Sequence, residues 1–444
     1  MDSNKAAAVE IIGKLQEEGH IAYLAGGCVR DMLRGEIPKD YDIATSALPE
    51  QITTIFSKTR EVGVHFGVVI VIKKNQSFDV ATFRNDGSYK DGRHPEEVTF
   101  STPEEDTARR DFTINGIFFD PISQKHIDFV DGRSDIEKKV IRAIGDPDLR
   151  FQEDHLRLLR AVRFAARFNY EIEEKTWKSI KLNASGISKI SKERVRDELT
   201  KILLNENRVL GFDLLVDSGL MAHIIPEILQ LKGCEQPPQF HPEGDVFVHT
   251  RLMLSLLKDN PSIELVLSVL LHDIGKPATY SFDEAADRIR FNGHDKLGAE
   301  MSNQILRSLK FSNSIIEDVV QMVANHMTFK DVQKMRQSKL KRFMSRSTFS
   351  DEKELHRVDC LGSWGGLDNY NFLNEKMIEF ANEPIIPAPL LTGKDLIELG
   401  WNPGPSLGET LNSVQDLQLE GTLSSKEEAL EWVKSNRSKN KLKA

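Results

Sequence analysis

The run Ile21-Ala22-Tyr23-Leu24-Ala25 leads directly into Gly26-Gly27-Cys28-Val29-Arg30-Asp31, and Lys39-Asp40-Tyr41-Asp42-Ile43 follows soon after. The first segment is apolar and short, as a buried strand is, and the second opens a helix after a glycine turn. A glycine pair lets backbone approach a ligand. The free N–H groups of a helix start suit a triphosphate, with Arg30 near enough to help. On a strand, alternate residues share a face, so Asp40 and Asp42 point the same way and can hold a divalent cation between them. Asp79, in Phe78-Asp79-Val80-Ala81-Thr82-Phe83-Arg84, sits on a later strand that can lie alongside. Two Mg²⁺ ions held by these three carboxylates would activate an attacking hydroxyl and neutralise a departing pyrophosphate. Taken alone, Asp-x-Asp reads as an exposed turn or strand face. Its position behind the glycine turn gives it the catalytic reading.

Outward from this segment, residues 1–145 alternate strand-like runs with short helical patterns, a mixed α/β unit. Helical periodicity dominates from Asp148 onward, so a boundary is expected at Gly145-Asp146-Pro147. Further punctuation at Gln236-Pro237-Pro238 and in the Pro-rich stretch 383–389 divides the rest. The 444 residues are about three times the ~150-residue prior for one domain, which predicts two to four units. No apolar run approaches the ~20 residues of a membrane span, and the N-terminus lacks the pattern of a secretory signal. A cytoplasmic protein is expected. Three cysteines without CxxC spacing exclude a disulfide framework and a thiolate zinc site, so the chemistry falls to carboxylates and histidines. The net charge of −9 argues against a general polyanion binder, so any nucleic-acid contact must be local. Candidate patches are the Arg157, Arg160, Arg163, Arg167 series, the segment Lys334–Arg346, and the tail from Lys434 to Lys443. The last two read equally well as solvated faces.

The ordered series of motifs over the first ~205 residues resembles the polymerase β-like nucleotidyltransferases, and within them the class II tRNA nucleotidyltransferases together with the related bacterial poly(A) polymerases. The resemblance assigns Gly26, Gly27 and Arg30 to the nucleotide and Asp40, Asp42 and Asp79 to catalysis, although Glu is the more usual residue at position 79. In Arg109-Arg110-Asp111-Phe112-Thr113-Ile114-Asn115 the two arginines look like sugar and triphosphate contacts, with Asp111 and Asn115 part of the same nucleotide-binding motif. Asp131-Gly132 through Asp135 to Arg142 resembles the segment that couples head to neck. Glu153-Asp154-His155-Leu156-Arg157 resembles the nucleotide-selecting motif, extended by Arg160 and Arg163. Glu193-Arg194 with Glu198 resembles the motif that braces the neck helix. A polar loop at Asn85–Pro95 is similar in place to the family's flexible loop needed for switching from C to A addition, which favours a full CCA-adding enzyme over a CC-adding relative.

The selecting motif also has a reading from helix geometry. At ~100° per residue, positions 154 and 157 share one side of a helix, so Asp154 and Arg157 can present an acceptor and a fork of donors together. Cytosine and adenine both offer an amino donor beside a ring-nitrogen acceptor, whereas uracil and guanine offer the reverse. One Asp–Arg pair can therefore accept C and A and reject U and G.

In the second half, His249, His272-Asp273, His294, His326 and Asp359 stand in helical or helix-flanking contexts, and Leu271-His272-Asp273-Ile274-Gly275-Lys276 ends an apolar run. These offer N and O ligands for Mn²⁺, Ni²⁺, Fe²⁺ or Mg²⁺. Over residues ~245–365 they resemble the HD-domain metal-dependent phosphohydrolases. That resemblance implies His249, His272, Asp273 and Asp359 as core ligands, His294 and His326 as a pair permitting a second metal, and Lys276 as a phosphate contact. The segments Leu390–Leu396 and Trp401–Gly408 resemble the C-terminal part of the same tRNA nucleotidyltransferases, or read simply as helix caps and packing.

The expected fold is thus α/β plus all-α. A polymerase β-like head with a mixed sheet (1–145) precedes a helical neck and body for nucleotide selection and RNA binding (146–240), an HD domain (241–370) and a helical tail (371–444). The resemblance implies template-independent addition of CCA to tRNA from CTP and ATP, dependent on Mg²⁺, with a second divalent metal in the HD domain and no required membrane or protein partner. The rivals are a poly(A) polymerase or CC-adding enzyme of the same family, and an HD phosphohydrolase whose head only binds RNA.

Overall fold

A computed structural model describes residues 3–60, 67–86, 98–381 and 384–440. The loop expected at Asn85–Pro95 falls largely outside them, as does the end of the basic tail. The chain forms two compact units, Met1–Gln230 with Ser308–Phe311 and Leu231–Arg307 with Ser312–Ala444.

In the first unit, the strands up to residue 128 are β1 (Ala22–Ala25), β2 (Ile43–Thr45), β3 (Thr59–Arg60), β4 (Val68–Lys73), β5 (Gln76–Thr82), β6 (Arg84–Asp86), β7 (Val98–Phe100), β8 (Ile117–Asp120) and β9 (Lys125–Asp128). Seven of them make one sheet in the order β3-β4-β5-β2-β1-β8-β9, and β6 pairs with β7 as a separate ribbon. Only β2 and β5 run parallel, with Ile43 opposite Val80. The sheet is mixed, as expected. Leu24, Val69, Val80, Phe83 and Phe118 are almost wholly buried in it. The helix Ser3–Glu17 covers it with Ala8, Ile11, Ile12 and Leu15 at the 3.6-residue spacing of one buried stripe. Beyond residue 145 the unit is mainly helical, although Glu171–Ile172 adds a short parallel pairing to Val140–Ile141 that periodicity did not reveal.

The second unit is helical. Leu265 to Leu271 are all buried in the helix Ile263–Leu271, which explains an apolar run with no polar face. The helices Val246–Leu256, Asn313–Asn325 and Phe349–Gly362 pack on it. Gly275, just past the His272-Asp273 pair, lies so close to the helix His294–Ser308 that a Cβ there would sit 2.5 Å from the His294 carbonyl oxygen. A side chain at this position would push the two histidine-bearing segments apart. A hairpin, Ser281–Asp283 with Arg288–Arg290, is the one strand pair in this unit among the described residues, and sequence reading missed it. At the C-terminal end, Thr392 caps the helix Gly393–Glu398 reciprocally with Asp395, and Leu391, Leu396, Val414, Leu423 and Val433 share a core. The 390–408 segments therefore act as caps and packing.

Candidate functional sites

Asp40, Asp42 and Asp79 line one cavity of about 230 Å³ at the end of β2 and β5. Contrary to the strand expected there, Asp40 and Asp42 occupy the extended run that enters β2. Their common direction survives because Tyr41 between them is buried and both aspartates are exposed, and the Asp42 carbonyl still accepts from the Ala25 N–H at 3.0 Å. Asp79 alternates in the same way between buried Phe78 and Val80. Continuing the parallel register back by one residue places Asp79 opposite Asp42. The Asp42 carboxyl is pushed above the usual range by desolvation and by the charges of Asp79 and Asp40, against the pull of Arg110. Three like charges converging on one cavity are the donor chemistry a divalent cation satisfies.

A second cavity of about 520 Å³ continues from Gly26, Gly27 and Asp42 across to the helix Leu156–Phe168. Nine arginines line it, among them Arg109, Arg110, Arg157, Arg160 and Arg163. Such a wall suits phosphates, through planar, permanently charged donors. Gly26 has φ +67°, and a Cβ there would come within 2.9 Å of the Arg110 guanidinium. Arg30 departs from its expected role. It lines the cavity, but it is buried, donates to Asp31 (2.8 Å) and Asn115 (2.6 Å), and stacks on Phe168. It positions Asn115 more than it offers donors to a ligand. Asn115 in turn donates to Asp111, which also accepts from Arg160 Nε at 2.8 Å. Although burial drives Asp111 upward, Arg160 and Asn115 hold its carboxyl down at about 2.

Sequence reading passed over Asp106. This carboxylate is 2% exposed; Oδ1 accepts from Arg109 Nε (2.9 Å) and Oδ2 from Arg110 Nε (3.1 Å), so one side chain aims both arginines. Its spacing, three and four residues before the arginines on a helix, was the available signal. Truncation leaves two guanidinium groups without their buried partner. Asp106→Ala should lose about 2–4 kcal/mol of stability, read by denaturant unfolding, and weaken phosphate binding in this cavity.

The Asp154–Arg157 pair is arranged differently from the single helical face that periodicity predicted. The helix Pro147–Glu153 ends at Asp154, which is extended, and a new helix begins at Leu156. Asp154 accepts from the Leu156 N–H (2.9 Å) and from Arg194 (3.1 Å). Arg157, nearly buried, donates to Glu153, the Arg150 carbonyl and the Arg109 carbonyl. A carboxylate that bonds the first N–H of the next helix offers the backbone an alternative to continuing the preceding one. Both residues nevertheless line the arginine-rich cavity. Arg163 pairs with Glu198 at 3.0 Å, and burial together with neighbouring Arg160 and Arg167 lowers its guanidinium to about 10 despite that partner. Within the segment 131–142, Arg142 donates to Asp135 at 3.0 Å.

In the second unit the histidines and aspartates converge. Among the described residues, the groups of three whose donor atoms all lie within 4.8 Å of one another are His241-Glu243-His249, His249-His272-Asp273 and Asp273-His294-His326. Asp359 Oδ1 lies 3.2 Å from His249 Nε2. Buried His272 Nε2 lies 3.0 Å from Asp273 Oδ2, and Asp273 Oδ1 faces His294 Nε2 at 3.4 Å. His294 Nε2 and His326 Nε2 stand 3.1 Å apart, two ring nitrogens converging where one cation would satisfy both. Burial, with His272 nearby, lowers His326 to about 4, keeping its ring neutral as a ligand. Burial would lower His249 as well, but Asp359 and Glu243 raise it to about 9. Lys276 forms an ion pair with Asp273 at 2.6 Å instead of standing free for a phosphate. Sequence reading did not single out His241 and Glu243. His241, Asp273, His294, His326 and Asp359 of this cluster line a cavity of about 520 Å³ that also presents Arg288 from the hairpin, Lys330 and the exposed Trp364.

Residues 22–142 match the Poly A polymerase head domain, 169–231 the probable RNA and SrmB-binding site of polymerase A, and 246–347 the HD domain. The chain is 32% identical to the CCA-adding enzyme of Enterococcus faecalis over 97% of its own length and 96% of that protein's. It is 31% identical to the CCA-adding enzyme of Lactobacillus helveticus over 96% and 95%. Its fold is similar to the crystal structure of the Bacillus stearothermophilus CCA-adding enzyme in complex with CTP, with TM-score 0.77, 26% identity and complete coverage of both chains.

Proposed function

The chain belongs to the CCA-adding enzyme family, a nucleotidyltransferase that adds CCA to the 3′ end of tRNA from CTP and ATP without a nucleic-acid template, and we propose that Asp40, Asp42 and Asp79 are its catalytic carboxylates. The observation that carries this is their convergence on one cavity continuous in sequence and wall with the arginine-lined cavity through Asp42. The family depends on divalent metal; we take Mg²⁺ as the ion in the head, held by Asp40 and Asp42. Bound there, it supplies activation of the tRNA 3′-hydroxyl and neutralisation of the leaving pyrophosphate. The chain's own part is positional. Gly26 and Gly27 leave room for the triphosphate, Arg109 and Arg110 meet sugar and phosphates under the control of Asp106, and Asp154 and Arg157 read the base. Incubation with tRNA lacking its 3′ CCA and labelled CTP, ATP or both, with product sizing, tests the whole reading: two C from CTP alone, and a final A only when both are present. A long A tail would indicate the poly(A) rival, and products halting at CC the CC-adding one.

The domain division at about 145, 240 and 370 and a cytoplasmic site of action are part of the same proposal. The second is supported by three buried cysteines that are all free. No described helix is long and apolar enough to cross a membrane.

For the HD unit we propose a divalent metal held by His249, His272, Asp273 and Asp359, with His294 and His326 offering a second position, and a phosphoester as substrate. His272→Ala or Asp273→Ala should remove phosphate release from 2′,3′-cyclic nucleotides and small phosphomonoesters and leave tRNA extension unchanged, because the head carries a separate ligand set. Undiminished hydrolysis in both variants would sink the catalytic assignment.

A further inference from the structure

Of the four histidines proposed as metal ligands, three are oriented by one device. His272 Nδ1 lies 2.9 Å from the Val269 carbonyl, His294 Nδ1 2.7 Å from that of Phe291, and His326 Nδ1 2.6 Å from that of Val323. In each case the acceptor is the carbonyl three residues back. A proton on Nδ1 leaves the Nε2 lone pair free for a cation. His249 differs: its Nδ1 faces Glu243 Oε1 at 2.7 Å, with the Gly362 carbonyl a longer second acceptor at 3.3 Å. The same Oε1 is shared with His241 Nδ1 at 2.9 Å, and the Glu243 side chain is only 9% exposed.

We infer that Glu243 is a positioning residue that makes the two metal positions of this site unequal, so that the one at His249, His272 and Asp273 fills first and the one at Asp273, His294 and His326 fills second. A carboxylate behind an imidazole raises its basicity as a ligand more than a neutral carbonyl does. The first position also has Asp359 beside it, so Asp273, Asp359 and Glu243 all favour a cation there. The second has Asp273 alone, shared with the first, and two imidazoles. The inference rests on the metal-site reading of the HD unit given above.

The test is calorimetric titration of the full chain with Ni²⁺, which imidazole-rich donors prefer over the all-carboxylate cluster in the head. Wild type should take up Ni²⁺ in two steps. Glu243→Gln keeps the hydrogen bond and removes the charge; it should weaken the first step ~10–100-fold and leave the second in place. Glu243→Ala, in which the Gly362 carbonyl inherits the proton, should show the same loss, and His294→Ala should delete the second step. Far-UV circular dichroism and melting of the metal-free proteins show which variants are folded, and either Glu243 variant suffices. First-step affinity in a folded Glu243 variant within about twofold of wild type, well short of the loss typical of such partners, overturns the inference, as does a loss confined to the step that His294→Ala deletes. Wild type without Ni²⁺ uptake overturns the metal-site reading itself, an outcome distinct from both.

Discussion

Asp42→Ala should lower nucleotide incorporation at least ~10³-fold without destabilising the fold. Losing one carboxylate of the cluster forfeits several kcal/mol of transition-state stabilisation, and each 1.36 kcal/mol is a factor of ten in rate. The stability side follows from the sign of the carboxyl's shift. Desolvation and the neighbouring Asp79 and Asp40 raise the folded-state pKa, so the ionised form is less welcome in the folded chain than in the unfolded one. Removing that charge therefore relieves repulsion, and melting at neutral pH should be unchanged or slightly higher. Asp40→Ala should lose activity in the same way. A pair of single-nucleotide incorporation and thermal unfolding measurements reads both effects. Incorporation at the wild-type rate in either folded variant would remove these carboxylates from the mechanism, and a large loss of stability would show that they brace the sheet instead.

The head's mixed sheet, the glycine turn and the three aspartates were legible because each rests on local pattern: period-two alternation, a Gly-Gly opening a helix, and carboxylates flanking a buried Tyr41. The same logic found His249, His272, His294 and His326 of the second cluster but not His241. What escaped depends on contacts that local pattern does not carry. Asp106 matters because two arginines fold back onto it. Glu243 matters because a turn brings it to His249 in a neighbouring helix, and nothing in His-Pro-Glu-Gly announces that. The hairpin Ser281–Arg290 is short, exposed and highly charged, so neither alternation nor an apolar run marks it. The break at Asp154 was missed for a related reason. Periodicity on both sides is helical, and only the carboxylate's bond to the Leu156 N–H shows that one helix has ended and another begun.

That break reshapes the prediction for base selection. Asp154 and Arg157 cannot act as two teeth of one helical face, yet both line the cavity, and each is held by its own partner: Asp154 by Arg194, Arg157 by Glu153 and two carbonyls. Held side chains select better than mobile ones, because a mismatched base then meets fixed groups that cannot turn away to water. Neither is saturated by its brace. A carboxylate has about four lone-pair sites, and a guanidinium has five donors against the three bonds that Arg157 makes here. Arg157→Ala should therefore admit UTP and GTP far more readily relative to CTP and ATP, giving up much of the ~10⁴-fold rejection a buried hydrogen-bonding site can reach. Asp154→Ala should do likewise, and Arg194→Ala should erode selectivity in the same direction by loosening Asp154 without touching the base. Competition between nucleotides on tRNA ending at the discriminator base measures all three. If Arg157→Ala and Asp154→Ala both keep wild-type preference for C and then A, base reading belongs to other residues. The two would then be ties in the neck, Arg157 fastening the Arg109 carbonyl and Asp154 joining the helix Leu156–Phe168 to the helix Lys192–Leu203 through Arg194.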